Sequence, residues 1–206
     1  MKQLLASVLV LIFALYNCDN SYNNDCVTIK GGGFSGFWYY YSYLKKNNIT
    51  NKPIYCYSSG CLAYIASIKH ANATYLYELA NMLALDYNNN KITNYEIKEK
   101  FINIITYNID LVTYNNLNIL TSNYLGQCTI KKPTTISELL LALDETTNIP
   151  LVTTKLDLSK NIDGSACITF IYKCAKTITF PYDYKIYMNM FNYKLSYDDI
   201  IYFLEY

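Results

Sequence analysis

Two stretches decide the fold: Val27 to Lys46, VTIKGGGFSGFWYYYSYLKK, and Pro53 to Ala66, PIYCYSSGCLAYIA. Cys26 to Lys30 is a short β-prone run that stops at Gly31-Gly32-Gly33. Phe34 to Lys46 predicts a helix, with Lys45 and Lys46 placed where the helix dipole favours cations. Asn47 to Lys52 reads as a turn, Pro53 to Tyr57 as a second strand, and Ser58 to His70 as a second helix. Strand, glycine turn, helix, strand, tight turn, helix is the order of an α/β fold with a mainly parallel central sheet.

Downstream, Ala73 to Leu85, Asn94 to Ile105 and Thr135 to Leu143 carry helix-like apolar spacing. Thr135 with Glu138 has the spacing of a capping box. Strand patterns return at Pro150 to Leu156 and Ala166 to Ile171, and Tyr197 to Leu204 is an amphipathic closing helix. No repeat or linker interrupts residues 26–206, which read as one domain. Upstream, Lys2 precedes the apolar run Leu4 to Tyr16, short of the roughly 20 residues that span a bilayer. Residues 1–18 are therefore expected to be a signal peptide or an uncleaved N-terminal anchor, with the domain secreted or membrane-tethered.

Composition excludes several classes. Hydrophobic residues make up 52% of the 206, enough for a sizeable core, and the net charge of +1 gives no electrostatic case for nucleic acid. Every basic side chain other than the lone His70 is Lys, so bidentate Arg recognition of phosphate is absent. Of the 7 cysteines, Cys18 falls at the end of the leader and six remain; a secretory route permits disulfides among them, with connectivity open. One His and no C-x-x-C pair give no structural zinc site, and neither metal nor cofactor is expected. Asn48-Ile-Thr50 and Asn72-Ala-Thr74 are glycosylation sequons.

Gly31-Gly32-Gly33-Phe34-Ser35-Gly36 has the spacing G-x-G-x-x-G, but no Asp or Glu lies between Val27 and Leu76 to hold a ribose, and no Gly-Lys-Ser/Thr makes it a Walker loop. What remains is a cluster of backbone N–H groups at a helix start, suited to an oxyanion, or else a tight turn without a ligand. Cys56-Tyr57-Ser58-Ser59-Gly60 departs from G-x-S-x-G only at its first position and places Ser58 between a strand and a helix, as a nucleophile elbow requires. The plain reading is a turn or N-cap. His70 lies twelve residues beyond Ser58 on the same predicted helix, about 18 Å away, so a Ser-His-Asp triad is excluded. Any base is a carboxylate or a Lys acting directly.

Together these residues resemble the patatin-like phospholipases. That family carries D-G-G-G-x-[RK]-G after its first strand, a G-x-S-x-G elbow one strand–helix–strand unit later, and an Asp in D-G-[GA] downstream. IPLVTTKLDLSK (149–160) and IYKCAKTITFPYDYKIYMN (171–189) are similar to its later segments. The resemblance implies a three-layer α/β/α sandwich and a Ser–Asp dyad. It implies hydrolysis of phospholipid or acylglycerol esters at a membrane or lipid surface. Ser58 is the implied nucleophile, Gly31, Gly32, Gly33, Phe34 and Gly36 form the oxyanion loop with donors around Gly32 to Phe34, and Cys56 and Gly60 flank the elbow. Four positions depart from the pattern. Ser35 replaces the Arg or Lys, Lys30 the Asp before the glycines, Cys56 the first elbow Gly, and Asn189-Met190-Phe191 the D-G-G. Asn189 cannot take a proton. Asp163, in Asp163-Gly164-Ser165, and Asp183 are the alternative bases; otherwise both are solvated loop carboxylates. The competing expectation is a silent pseudoenzyme that binds lipid or a partner.

Overall fold

The computed structural model describes residues 22–49, 51–70, 72–167 and 173–205. The leader, Cys18 and Thr50 lie outside them. Strand β1 (Tyr22–Ile29) leads through the glycines into helix α1 (Gly33–Lys46); β2 (Ile54–Cys56) leads into α2 (Ser59–Lys69). Helices α3 (Ala73–Asn88) and α4 (Asn94–Thr106) follow, then β3 (Leu117–Ser122), β4 (Cys128–Lys131) and α5 (Ile136–Thr146). The chain ends with β5 (Ile162–Asp163), β6 (Lys173–Ile178), α6 (Tyr184–Met188) and α7 (Tyr197–Glu205).

The sheet runs β4-β3-β2-β1-β6, with β5 also paired to β3. The β3–β2–β1–β6 pairs are parallel, and β4 and β5 are antiparallel to β3, so the fold is mixed α/β with a mostly parallel sheet. Every residue of β3 is buried. A strand covered on both faces shows no inside–outside alternation, and β3 buries Leu117, Ile119 and Leu120 together with the polar Asn118, Thr121 and Ser122. Helix α1 buries Phe37, Trp38, Tyr40 and Tyr41 and packs against α2 and α7. Helix α4 packs against α2, α3 and α5.

Helix starts follow local chemistry. Thr135 and Glu138 close a capping box on α5, as their spacing predicts, and Thr93 with Glu96 does the same on α4. Asn72 caps α3 by accepting from Thr74 N–H at 2.8 Å.

Two strand expectations differ from the structure. Pro150 to Leu156 forms turns with a single Pro150–Thr154 bridge, not a strand. Thr153 is the cause: its hydroxyl donates to Thr147 O at 2.6 Å and accepts from Ile149 N–H at 2.8 Å, closing the backbone on itself. Leu151 takes a left-handed φ of 66° within that turn. The strand expected at Ala166 to Ile171 falls mostly outside the described residues; Ala166 belongs to a short 3-10 turn and the strand begins at Lys173.

Six cysteines pair as Cys26–Cys174, Cys56–Cys61 and Cys128–Cys167. Their sequence separations are 148, 5 and 39 residues. By loop-closure entropy they are worth about 5, 2 and 4 kcal/mol respectively, so the short bridge contributes least to stability.

Candidate active site

The candidate nucleophile position is built from β2 and α2. Strand β2 ends at Cys56, in register with Ile29 and Ile119 on either side. The chain then turns sharply, and Ser58 adopts φ 54° and ψ −138° before α2 begins at Ser59. A left-handed φ at a non-glycine residue costs about 1–3 kcal/mol and persists only where its surroundings enforce it. Here Ser58 N–H donates to the buried Thr146 hydroxyl at 2.9 Å, and that hydroxyl donates to Leu120 O at 2.6 Å. Gly60 lies so close to β1 that a Cβ would stand 2.3 Å from Lys30 O and 2.8 Å from Ile29 O. A Cβ at Gly31 would meet the Cβ of Ser58 at 2.8 Å. Sheet and helix thus meet where Cβ atoms are missing, the packing demand of a nucleophile elbow.

Asp163 arrives from the other end of the domain. Thr121 pairs with Thr129 of β4 on one side and with Asp163 of β5 on the other. Since β4 takes one edge of β3, β5 lies on the edge that β2 occupies earlier. Cys56 pairs with Ile119; two residues further along β3, Asp163 stands where Ser58 would stand had β2 continued straight. The turn at Ser58 and the arrival of Asp163 therefore bring the two side chains together. Gly164 permits this approach, since a Cβ there would lie 2.4 Å from Leu120 O and 2.6 Å from Tyr57 Cβ.

Asp163 is 4% exposed. One oxygen, Oδ1, accepts from Ser165 N–H at 2.7 Å, while Oδ2 is buried without a well-formed hydrogen bond among the described residues. Burial pushes the carboxyl up to about 6, against the Ser58 hydroxyl, the Ser165 N–H and hydroxyl, and the charge of Lys98, all of which favour the carboxylate. The Ser58 hydroxyl is thus among the groups that favour the Asp163 carboxylate, while Oδ2 closes no hydrogen bond of ordinary geometry; between a nucleophile and its base in a free enzyme such a contact is often loose.

Both serines of the elbow border an open pocket. Its walls are apolar, with Phe34, Phe37, Phe101, Ile97, Leu62 and Ile149 among them. Lys98 also borders it; its ammonium lies 2.6 Å from Asp144 Oδ1, and an ammonium, having no lone pair, cannot act as a base.

The oxyanion expectation narrows. Gly32 N–H donates to Ser59 Oγ at 2.9 Å and Phe34 N–H to Met190 O at 2.6 Å, so both are occupied and neither serves as the donor the glycine motif predicts. Gly36 N–H bonds Gly32 O, and Gly31 offers its carbonyl to the Tyr40 hydroxyl. Among the described residues, Gly33 and Ser59 keep N–H groups with no protein acceptor, at the first positions of α1 and α2, and both border the pocket. Gly33 has φ 62°, and a Cβ there would meet Met190 O at 2.2 Å. Two N–H groups at two helix starts, one on the residue that follows Ser58, are the type of donor that an oxyanion hole uses.

The remaining expected residues lie elsewhere. Asn189 ends α6: its amide donates to Lys185 O at 2.9 Å and its carbonyl accepts from Asn192 at 2.8 Å, and it does not border the pocket. Asp183 caps α6 through Ile186 N–H at 3.0 Å and accepts the Tyr202 hydroxyl at 2.8 Å. Ser35 is buried and donates to Ile186 O at 2.7 Å. Lys30 is half-buried beyond β1. His70 ends the eleven-residue α2, remote from Ser58, and burial followed by the charge of Lys69 pushes its imidazole down. Asn48 and Asn72 are exposed. Thr146 carries no sequence signal for its role, because a Thr at a helix end is common; Lys98 gives none either.

Comparisons of the chain with protein-family models, with curated proteins and with solved structures return no match.

Proposed function

We propose that this chain is a serine acyl hydrolase acting on lipid esters, phospholipid or acylglycerol, through a Ser58–Asp163 dyad. The observation that carries the reading is the meeting of a strained serine, itself bordering an apolar-walled pocket, with a buried carboxylate. Asp163 takes the hydroxyl proton as Ser58 Oγ attacks the ester carbonyl. Gly33 and Ser59 N–H groups hold the resulting oxyanion. Collapse expels the alcohol, which receives the proton from Asp163, and leaves an acyl-Ser58 ester. A water molecule, deprotonated by Asp163, attacks that ester and releases the carboxylic acid. The pocket takes the acyl chain, because its mostly apolar walls, Phe34, Phe37, Leu62, Ile97 and Phe101 among them, offer an ester tail dispersion contacts.

The reading carries the resembled family's three-layer arrangement with it, and assigns the D-G of the motif to Asp163-Gly164 rather than to Asn189-Met190. It also carries a secreted or membrane-tethered setting. The second reading, a silent lipid-binding pseudoenzyme, is favoured by the imperfect contact at Asp163 Oδ2. Fatty-acid release from mixed phospholipid–acylglycerol vesicles separates the two. Release by the wild type, lost in Ser58→Ala, supports the hydrolase. Saturable vesicle binding with no release by either form supports the pseudoenzyme.

A further inference from the structure

The cysteine at the first elbow position raises a question that its stability contribution does not answer. Cys56 is the last residue of β2 and Cys61 the third residue of α2, and the bond between them encloses Tyr57, Ser58, Ser59 and Gly60. Both are fully buried, and neither borders the pocket. Each end of this small ring is anchored independently. Cys56 is in register with Ile29 and Ile119, and the α2 end is seated by Gly60 against Lys30 O and Ile29 O. The one residue of the ring with a left-handed backbone is Ser58. Relaxing its φ to an extended or helical value would swing the start of α2 relative to the end of β2. The bond opposes this by holding the Cα atoms of Cys56 and Cys61 5.0 Å apart. The other two bridges join elements far apart in sequence and hold the fold instead.

We propose that the Cys56–Cys61 disulfide is a positioning device for the nucleophile, keeping Ser58 in its strained conformation opposite Asp163. The inference rests on the reading of Ser58 as nucleophile. The bridge acts through the elbow backbone and touches no substrate. It therefore governs the rate at which Ser58 reacts and leaves acyl-chain recognition to the pocket walls.

The test compares the full chain with Cys56→Ala/Cys61→Ala and with Cys26→Ala/Cys174→Ala, the remaining bridges being verified by peptide mapping. Three quantities are read: the rate constant for covalent labelling by a fluorophosphonate, kcat and KM on a short-chain ester, and Tm. The elbow variant is expected to label about 10- to 100-fold more slowly, with kcat reduced in proportion and KM unchanged. Its Tm should fall by only about 4–8 °C. The Cys26–Cys174 variant is expected to lose more Tm yet label at the wild-type rate under conditions where it is folded. An elbow variant that labels as fast as the wild type overturns the proposal. So does one that cannot fold, because a staple the whole fold depends on is not a positioning device. If the wild type itself is not labelled, the nucleophile reading fails and the inference falls with it. Wild-type labelling with an indifferent elbow variant rejects the inference alone.

Discussion

The two halves of the proposed dyad are held by different kinds of structure. Ser58 stands between a strand and an eleven-residue helix; Cys56, Gly60 and Cys61 beside it in sequence shape its turn, and Gly31 and Thr146 close on it from elsewhere. Asp163 stands on a two-residue strand between turns and is placed by contacts remote in sequence: Thr121 across the ladder, Asn148 O accepting its N–H, and Tyr57 and Leu120 packed on the glycine that follows. A nucleophile can be built by a local motif because its demand is a sharp turn. A base can come from any segment that tertiary structure delivers to that turn.

The sharpest way to break the comparison is to add a Cβ to each half. Gly60→Ala meets two backbone oxygens and Gly164→Ala meets Leu120 O and Tyr57 Cβ, so each is expected to cost about 2–3 kcal/mol and about 100-fold in ester hydrolysis. Denaturant melts and steady-state rates check both. If local structure holds the elbow more firmly, Gly164→Ala keeps the fluorophosphonate site folded but unreactive, while Gly60→Ala disturbs the β2–α2 junction itself.

The stability of Asp163→Asn comes next. Raising the carboxyl from 3.8 to about 6 costs the folded state ~3 kcal/mol when the group is ionised. The sign follows from the folded value lying above the unfolded one: the cost is absent below pH 3.8, grows between 3.8 and 6, and is complete above 6. Asp163→Asn should therefore raise stability at pH 8 and leave it unchanged near pH 3.5, measured by chemical denaturation at both.

A smaller effect concerns Lys98. It lowers the Asp163 value, so Lys98→Met should move the acid limb of the pH–rate profile, expected near pH 6 in the wild type, upward. An unmoved or lowered limb would show that Lys98 does not act on the base. Smallest of all are Asn189→Ala and Gly36→Ala. The first removes a helix cap and should leave kcat within about 2-fold, at a cost near 1 kcal/mol. The second places a Cβ no closer than 3.6 Å to any neighbour within α1, and should stabilise by about 0.5–1 kcal/mol.

The same contrast explains what could be read beforehand. The β1–α1–β2–α2 order was legible because glycine turns punctuate runs of opposite periodicity, and Ser58 because small residues flank it. The capping boxes follow from side-chain chemistry within four residues. Strand β3 was missed since its fully buried run, Leu117 to Ser122, has no alternation, though Asn115-Asn116 and Asn123 do bracket it. Missing β3 hid the place of β5, and so the burial of Asp163 beside the Ser58 turn. Its Asp-Gly signal was visible, but only the ladder partner shows that this loop carboxylate is buried. Asn189 drew attention by order along a resembled pattern, whereas its amide is spent capping α6. Thr146 and Lys98 have no local signature at all.

The central claim is that Asp163 is the base for Ser58, and the rate of fluorophosphonate labelling as a function of pH tests it most directly. The wild type should label at Ser58 with a rate that rises through about pH 6, Asp163→Asn should label at least ~1000-fold more slowly and without that rise, and Asn189→Ala should follow the wild type. Asp163→Asn labelling at the wild-type rate, or Asn189→Ala losing it, would contradict the account.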